Sequence, residues 1–300
     1  MIKLTGFADE AANEIEGQIR AIKTLGWSHL ELRAINGQNI TDIPEADFEN
    51  VAEQLETHQI KVNALGSTIC NWGKSILEPM DRDWEEIERA IPRMKALGTK
   101  HIRIMSYAVL RDRDARDQMV EERVDRLRRV VDRFAEEGLQ ALHENCANYG
   151  GMGWPFTMEL LEKVPGLKLI FDTANPATTL DRTKPAPHPP QSSWEFYQQV
   201  REHIAHVHVK DGRFLRDNPE SVFEDADYVW PGEGDGEVVK IVSDLHQTGY
   251  EGFLSIEPHL SVVFHDESLS ASDQARFDSF IEYGKRMERI LEQIKAPQTP

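Results

Sequence analysis

Hydrophobic and polar positions follow two periods along this chain, and the two periods take turns. Residues 2–8 read as a strand. Over residues 13–25 the apolar positions Ile15, Ile19, Ile22 and Leu25 recur at steps of four and three, the stripe of an amphipathic helix, and Gly26 closes it. A second strand at 29–33 precedes a helix over 46–57, and a third at 60–66 precedes a helix over 83–97 that stops at Gly98. The fourth strand, 101–105, leads into a long charged helix with Val120, Val124, Leu127, Val131 and Phe134 on one side, ending at Gly138. Strands at 140–145, 168–173, 204–212 and 253–257 and helices over 156–164, 194–201, 237–247 and 275–294 complete the series.

Eight strand-then-helix units argue for a parallel sheet with right-handed crossovers, and that number suggests closure into an α/β fold of the (β/α)8 TIM-barrel type. An open doubly wound sheet is the alternative. Residues 1–300 then form a single domain with a short tail at 295–300. The strand-to-helix loops at 67–80, 175–191, 212–236 and 258–273 are long, while the helix-to-strand turns are short. This asymmetry puts the elaborated face at the carboxyl ends of the strands, where barrel active sites sit.

Charge and composition narrow the partners. A formal charge of −18 repels a phosphate backbone, and the most basic stretch, 111–133, is interleaved with acids and reads as a solvated helix face, so no nucleic acid is expected. No apolar run approaches the roughly 18 residues that would span a bilayer, so no membrane partner is expected. The first residues, MIKLTGFADE, enter a strand pattern without an apolar signal region, and Cys70 and Cys146 form no CxxC pair, which together favour a cytoplasmic location. A homo-oligomer is compatible with this composition.

The chemistry concentrates in the second half. In residues 204–212, IAHVHVKDG, period-two alternation puts His206, His208 and Lys210 on one face and Val207 and Val209 on the other. Three other strands end in an acid: Glu144, Asp172 and Glu257. A carboxylate at such a place costs several kcal/mol to desolvate unless compensated, and three on nearby strands repel one another. One divalent cation resolves both problems. Three carboxylates and an imidazole are a mostly hard oxygen set, suited to Mn²⁺ first, with Mg²⁺, Co²⁺ or Zn²⁺ as alternatives. The competing reading is that Glu144 and Glu257 pair with Arg or Lys across the barrel and bind nothing.

In order and in strand, Glu144 in HEN, Asp172 in FDTAN, His208 in HVKD and Glu257 in SIEP resemble the site of the xylose-isomerase-like TIM-barrel superfamily of sugar isomerases and epimerases. GWSHLELR at 26–33, VNALGST at 62–68 and PGEGDGEV at 231–238 support the resemblance, which covers nearly the whole chain. It implies that Glu144, Asp172, His208 and Glu257 bind one metal, with His206 a layer deeper as support. Ketose 3-epimerases of the superfamily carry a histidine three residues after the strand-six Asp; here that position is Asn175, a substrate contact of altered character.

The reaction that follows is proton removal next to the carbonyl of a sugar or related polyol through a metal-stabilised enediolate, with Glu144 and Glu257 as base and acid. Lys210, Arg213, Trp72 and Lys74 are further candidates for substrate contact, alongside readings as surface cations and a docked tryptophan. Glu31 on the second strand is expected to pair with an Arg in the interior, where Arg33 and Arg103 share its parity. Gly232, Gly234 and Gly236 alternate with acids, so a lid hinge or structural turn is preferred to a phosphate loop. The proline-rich stretch 185–190 reads as a stiff lid or partner contact. A dehydratase or lyase acting on a keto-cyclitol or 3-keto-glycoside is the main rival. An apurinic-endonuclease-like enzyme, which would need more histidines, and a noncatalytic sugar binder are weaker.

Overall fold

A computed structural model describes residues 1–215, 226–261 and 271–296. Residues 216–225, 262–270 and 297–300 lie outside the described residues, and with them parts of the loops expected at 212–236 and 258–273 and most of the tail. The strands are β1 (Lys3–Gly6), β2 (His29–Leu32), β3 (Lys61–Gly66), β4 (His101–Ile104), β5 (Gln140–Glu144), β6 (Lys168–Asp172), β7 (Ile204–Val209) and β8 (Phe253–Ile256). Between them run α1 (Ile15–Thr24), α2 (Glu45–Thr57), α3 (Asp81–Leu97), α4 (Val120–Glu136), α5 (Trp154–Lys163), α6 (Ser193–Val200) and α7 (Val238–Gln247), and α8 (Asp273–Lys295) follows the last strand.

From β2 to β8 each strand pairs in parallel with the next in sequence, and β8 pairs with β1. A single parallel bridge between Phe7 and Glu31 joins β1 to β2. Sequential order with meeting ends is a barrel, so the doubly wound alternative falls. Two antiparallel ribbons that hydrophobic periodicity did not reveal decorate the carboxyl-end face: Ala34–Ile35 with Gln38–Asn39, and Gly212–Phe214 with Ala226–Tyr228.

The apolar core lies between strands and helices. Val207 and Val209 of β7, Leu254 and Ile256 of β8 and Leu169 and Phe171 of β6 face outward into it and are fully buried beneath Phe196, Tyr197, Ile241 and Phe280. The inside of the barrel is different. Branched apolar side chains usually fill a TIM-barrel interior, but here Thr5, Glu31, Asn63, Arg103, Glu144, Asp172, His206, His208 and Ser255 are all buried. Contacts cross the interior directly, as in the Thr5 hydroxyl donating to Asn63 Oδ1 at 2.9 Å. A polar interior must hydrogen-bond to itself or hold something that satisfies it.

Candidate metal centre

Strand β7 supplies the axis of the site. His206, His208 and Lys210 point inward, with exposures of 2%, 0% and 4%. Strands β6 and β8 flank β7, and register aligns Asp172 and Ser255 with His208. The Thr173 and Glu257 amides donate to the carbonyls of His208 and Val209, so Asp172 and Glu257 emerge on either side of the His208 ring. Glu144 arrives from β5, one strand beyond β6. One donor atom each from Glu144, Asp172, His208 and Glu257 falls within a sphere where none is more than 4.8 Å from another.

Cations also reach these acids. Arg103 Nη1 lies 3.3 Å from Glu144 Oε2, and Lys210 Nζ lies 3.2 Å from Asp172 Oδ2 and 3.3 Å from Glu257 Oε2. Arg33 Nη1 donates to Glu257 Oε1 at 2.6 Å and clamps Asp9 through Nε and Nη2. The competing reading of ion-paired acids is therefore partly realised, but the pairing is incomplete. Glu144 Oε2 and Asp172 Oδ2 are buried and accept no hydrogen bond. Around them the buried carboxylates Asp9, Glu10, Glu31, Glu144, Asp172 and Glu257 outnumber the cations Arg33, Arg103 and Lys210 that pair with them. Two oxygens without a hydrogen bond amid surplus negative charge, beside an imidazole, are a donor set that fits a divalent cation of the Mn²⁺ or Mg²⁺ kind.

The protonation equilibria carry the same imbalance. Burial raises the Asp172 carboxyl, and Lys210 only partly counters it. For Glu144 burial works upward too, but Arg103 and His208 outweigh it and the group sits below the usual range. Glu257, also buried, is held well below that range by Lys210, His259 and Arg33. Burial alone would lower His208, yet Glu31 and Glu144 push it up to about 10.

The remaining candidates separate. Asn175 stays with the site: its amide donates to Asp172 Oδ1 at 2.7 Å and its Nδ2 lies 3.4 Å from Glu144 Oε1. Trp72 and Lys210, with Arg33, Arg103, Glu144 and Glu257, line a cleft of about 270 Å³ above the cluster. Lys74 does not reach that cleft. Its ammonium is drawn to α3, 2.6 Å from Asp83 Oδ1 and 3.0 Å from Glu86 Oε2. Arg213 is exposed and donates to the Glu233 carbonyl at 2.6 Å, away from the cleft lining. The expected Glu31–Arg pair is replaced by a pair of imidazoles: Glu31 meets His206 at 2.6 Å and His208 at 3.1 Å, because Arg33 lies farther along β2 and takes Asp9 and Glu257.

The glycine run is a structural turn around an internal anion. The amides of Gly212, Gly232, Gly234 and Gly236 all donate to the Asp211 carboxylate at 2.8–3.1 Å. A Cβ on Gly234 would sit 2.4 Å from Asp211 Oδ1, so that position admits no side chain. Residues 185–190 are mostly exposed and lie on the carboxyl-end loop after β6.

Sequence reasoning passed over Glu10, His259 and Tyr228. Glu10 accepts from the His259 amide at 2.8 Å and pairs with His259 Nδ1 at 2.9 Å, while Tyr228 and His259 both line the cleft. The signal was present for Glu10, since Asp9 and Glu10 follow a strand just as the three recognised acids end theirs. His259 sits in a loop and Tyr228 in a short ribbon without a periodic pattern, and neither carried one.

Comparison with curated protein sequences finds no match. Among solved structures, the probable 3-DHS dehydratase AsbF of Bacillus anthracis, involved in petrobactin synthesis, is 18% identical with a TM-score of 0.68, over 95% of this chain and 98% of that one. A xylose isomerase-like TIM barrel protein from Mycobacterium smegmatis in complex with magnesium is 13% identical with a TM-score of 0.68, over 98% and 97%. The apo form of 3-keto-D-glucoside 4-epimerase, YcjR, from E. coli is 18% identical with a TM-score of 0.61, over 95% and 98%. Identities this low establish a shared fold. The xylose isomerase-like TIM barrel family itself matches residues 19–279, most of the chain, and this protein belongs to it.

Proposed function

We propose that the protein is a divalent-metal-dependent isomerase or epimerase acting on a sugar or related polyol, with Glu144, Asp172, His208 and Glu257 holding the metal. The observation that carries this reading is the pair of buried oxygens on Glu144 and Asp172 that accept no hydrogen bond and meet only one cation each, beside His208 and Glu257 below a cleft of about 270 Å³. A bound divalent ion supplies Lewis-acid stabilisation for the negative charge that develops when a carbon next to a carbonyl loses its proton.

The protein's own groups do the rest. Glu144 from β5 and Glu257 from β8 both line the cleft, so one takes the proton while the other is placed to return it. Lys210 and Arg33 keep Glu257 ionised, the state in which a base must start. Lys210 faces the cleft to orient substrate hydroxyls, Asn175 acts through its contacts to Asp172 and Glu144, and Trp72 offers an apolar wall for a ring. The sugar epimerase among the structural neighbours supports this reading. The dehydratase among them supports a second one: the same proton removal, followed by loss of a β-hydroxyl with its bonding pair.

The test is incubation of the Mn²⁺-loaded protein with ketoses, cyclitols and 3-keto-glycosides in D₂O. Deuterium incorporation without loss of water means isomerase or epimerase, and elimination means lyase. Tight binding with no exchange removes both. Glu257→Gln is expected to retain some metal but to lose on the order of a hundredfold or more in turnover, the reach of general base catalysis; unchanged turnover refutes the assignment.

A further inference from the structure

His208 is held from behind as well as from the cleft. Glu31, on β2 across the barrel from β7, is 1% exposed. Its Oε2 lies 2.6 Å from His206 Nε2 and its Oε1 lies 3.1 Å from His208 Nε2. Both contacts are at hydrogen-bond distance and use one carboxylate oxygen each, and a carboxylate oxygen accepts, so each Nε2 is the donor. His208 then turns Nδ1 toward Glu144 Oε1 at 3.1 Å and Glu257 Oε2 at 3.9 Å, into the group of oxygens described above. The Phe7 ring meets His208 edge-on with centroids 5.0 Å apart and limits rotation of the imidazole.

We infer that Glu31 is the positioning residue of the metal centre: it fixes His208 as the Nε2–H tautomer so that Nδ1 is the ligand atom. The inference rests on the metal site proposed above. A metal-ligating imidazole whose other nitrogen donates to a carboxylate is oriented and made more basic by it, and loss of such a partner lowers metal affinity by roughly 10- to 100-fold. Here one carboxylate serves two rings. His206 occupies the second oxygen and holds the Glu31 carboxylate in the plane that His208 needs. A purely structural Glu31, present only to neutralise buried imidazoles, would alter the folding midpoint and leave metal affinity alone.

Glu31→Gln separates the two roles. A neutral amide presents one acceptor and one donor, so it cannot take Nε2–H from both rings. Chelator-stripped wild-type and Glu31→Gln proteins are titrated with Mn²⁺ by calorimetry, with circular dichroism verifying that both are folded. The expected result is one site in each, about 10- to 100-fold weaker in the variant. Affinities within twofold of each other overturn the inference and leave the proposed function standing. A wild-type protein that binds no divalent ion overturns both. Should the variant fail to fold, ¹⁵N spectra of the Mg²⁺-loaded wild type decide, with His208 assigned by its loss in His208→Gln: protonated Nε2 supports the inference, and protonated Nδ1 overturns it.

Discussion

Two groups of buried acids in this molecule use their oxygens in opposite ways. On α3, Glu86 accepts from the Thr68 amide at 2.7 Å, the Thr68 hydroxyl at 2.7 Å, the Thr41 hydroxyl at 3.0 Å and Lys74 at 3.0 Å. Its neighbour Asp83 accepts from the Cys70 amide, Lys74 and the Tyr107 hydroxyl at 2.6–2.9 Å. Both oxygens of each carboxylate are used, and the result is a clamp on the loop after β3 that carries Trp72. At the ends of β5 and β6, Glu144 and Asp172 are as deeply buried, yet each keeps an oxygen that meets a cation but accepts no hydrogen bond. Burial alone therefore does not separate the two groups. Saturation does: the first group is hydrogen-bonded through both oxygens of each acid, and the second leaves one oxygen of each acid without a hydrogen bond, as the proposed metal site requires.

The largest effect expected from breaking this contrast is on the saturated side. Asp83→Ala leaves Lys74 with Glu86 alone and the Cys70 amide and Tyr107 hydroxyl without their acceptor, and breaking a buried pair in this way costs about 3–5 kcal/mol. Urea denaturation should register that loss, while Mn²⁺ affinity stays within a few-fold of wild type. A variant as stable as wild type would remove the clamp from the account.

Next in size is a pH effect that sets two histidines against each other. His143 points outward from β5 against Gly150 and is fully buried; burial drives its pKa down to about 4, with Glu144 only partly opposing. His208 points inward among carboxylates and goes the other way. Because His143 is harder to protonate folded than unfolded, the unfolded chain binds the extra proton between pH 6.5 and 4. Its contribution is thus intact above pH 6.5 and is lost as pH falls toward 4, in total about 3 kcal/mol. Urea midpoints of the metal-free protein should show this slope, and His143→Gln should flatten it. An unchanged slope would assign the effect elsewhere.

The smallest effect sharpens the unsaturated side. Free Mn²⁺ at a hundred times its dissociation constant should stabilise the wild type by about 2.7 kcal/mol. Asp172→Asn should lose this gain and Asp83→Ala should keep it. Thermal melts with and without Mn²⁺ check both, and a gain retained by Asp172→Asn would move the metal away from β6.

Much of the architecture was legible because each element repeats one pattern locally. The helices begin and end within two residues of the bounds read from apolar spacing. His206, His208 and Lys210 were legible for the same reason: alternation on a single strand fixes their common face. What escaped depends on partners distant in sequence. Lys74 reads as a loop cation until α3 folds Asp83 and Glu86 against it. Arg33 pairs with Glu257, 224 positions away, and Glu10 with His259, 249 positions away; no periodicity links them. Glu31 was expected to meet an arginine because parity gives the face of a strand and not the depth. Arg33 lies beyond Glu31 along β2, which leaves the lower layer to the imidazoles.

The turn at Gly232, Gly234 and Gly236 has a consequence for reading glycine-rich runs in general. Backbone amides converging in this way form a cradle for an anion, and here the chain brings its own guest, tethered at position 211. Shortening that one residue to glycine would leave the host without its guest, and small free anions such as formate or acetate would become its natural tenants. Whether such a loop captures a solute or merely folds is thus written outside the glycines, in the acid that comes before them.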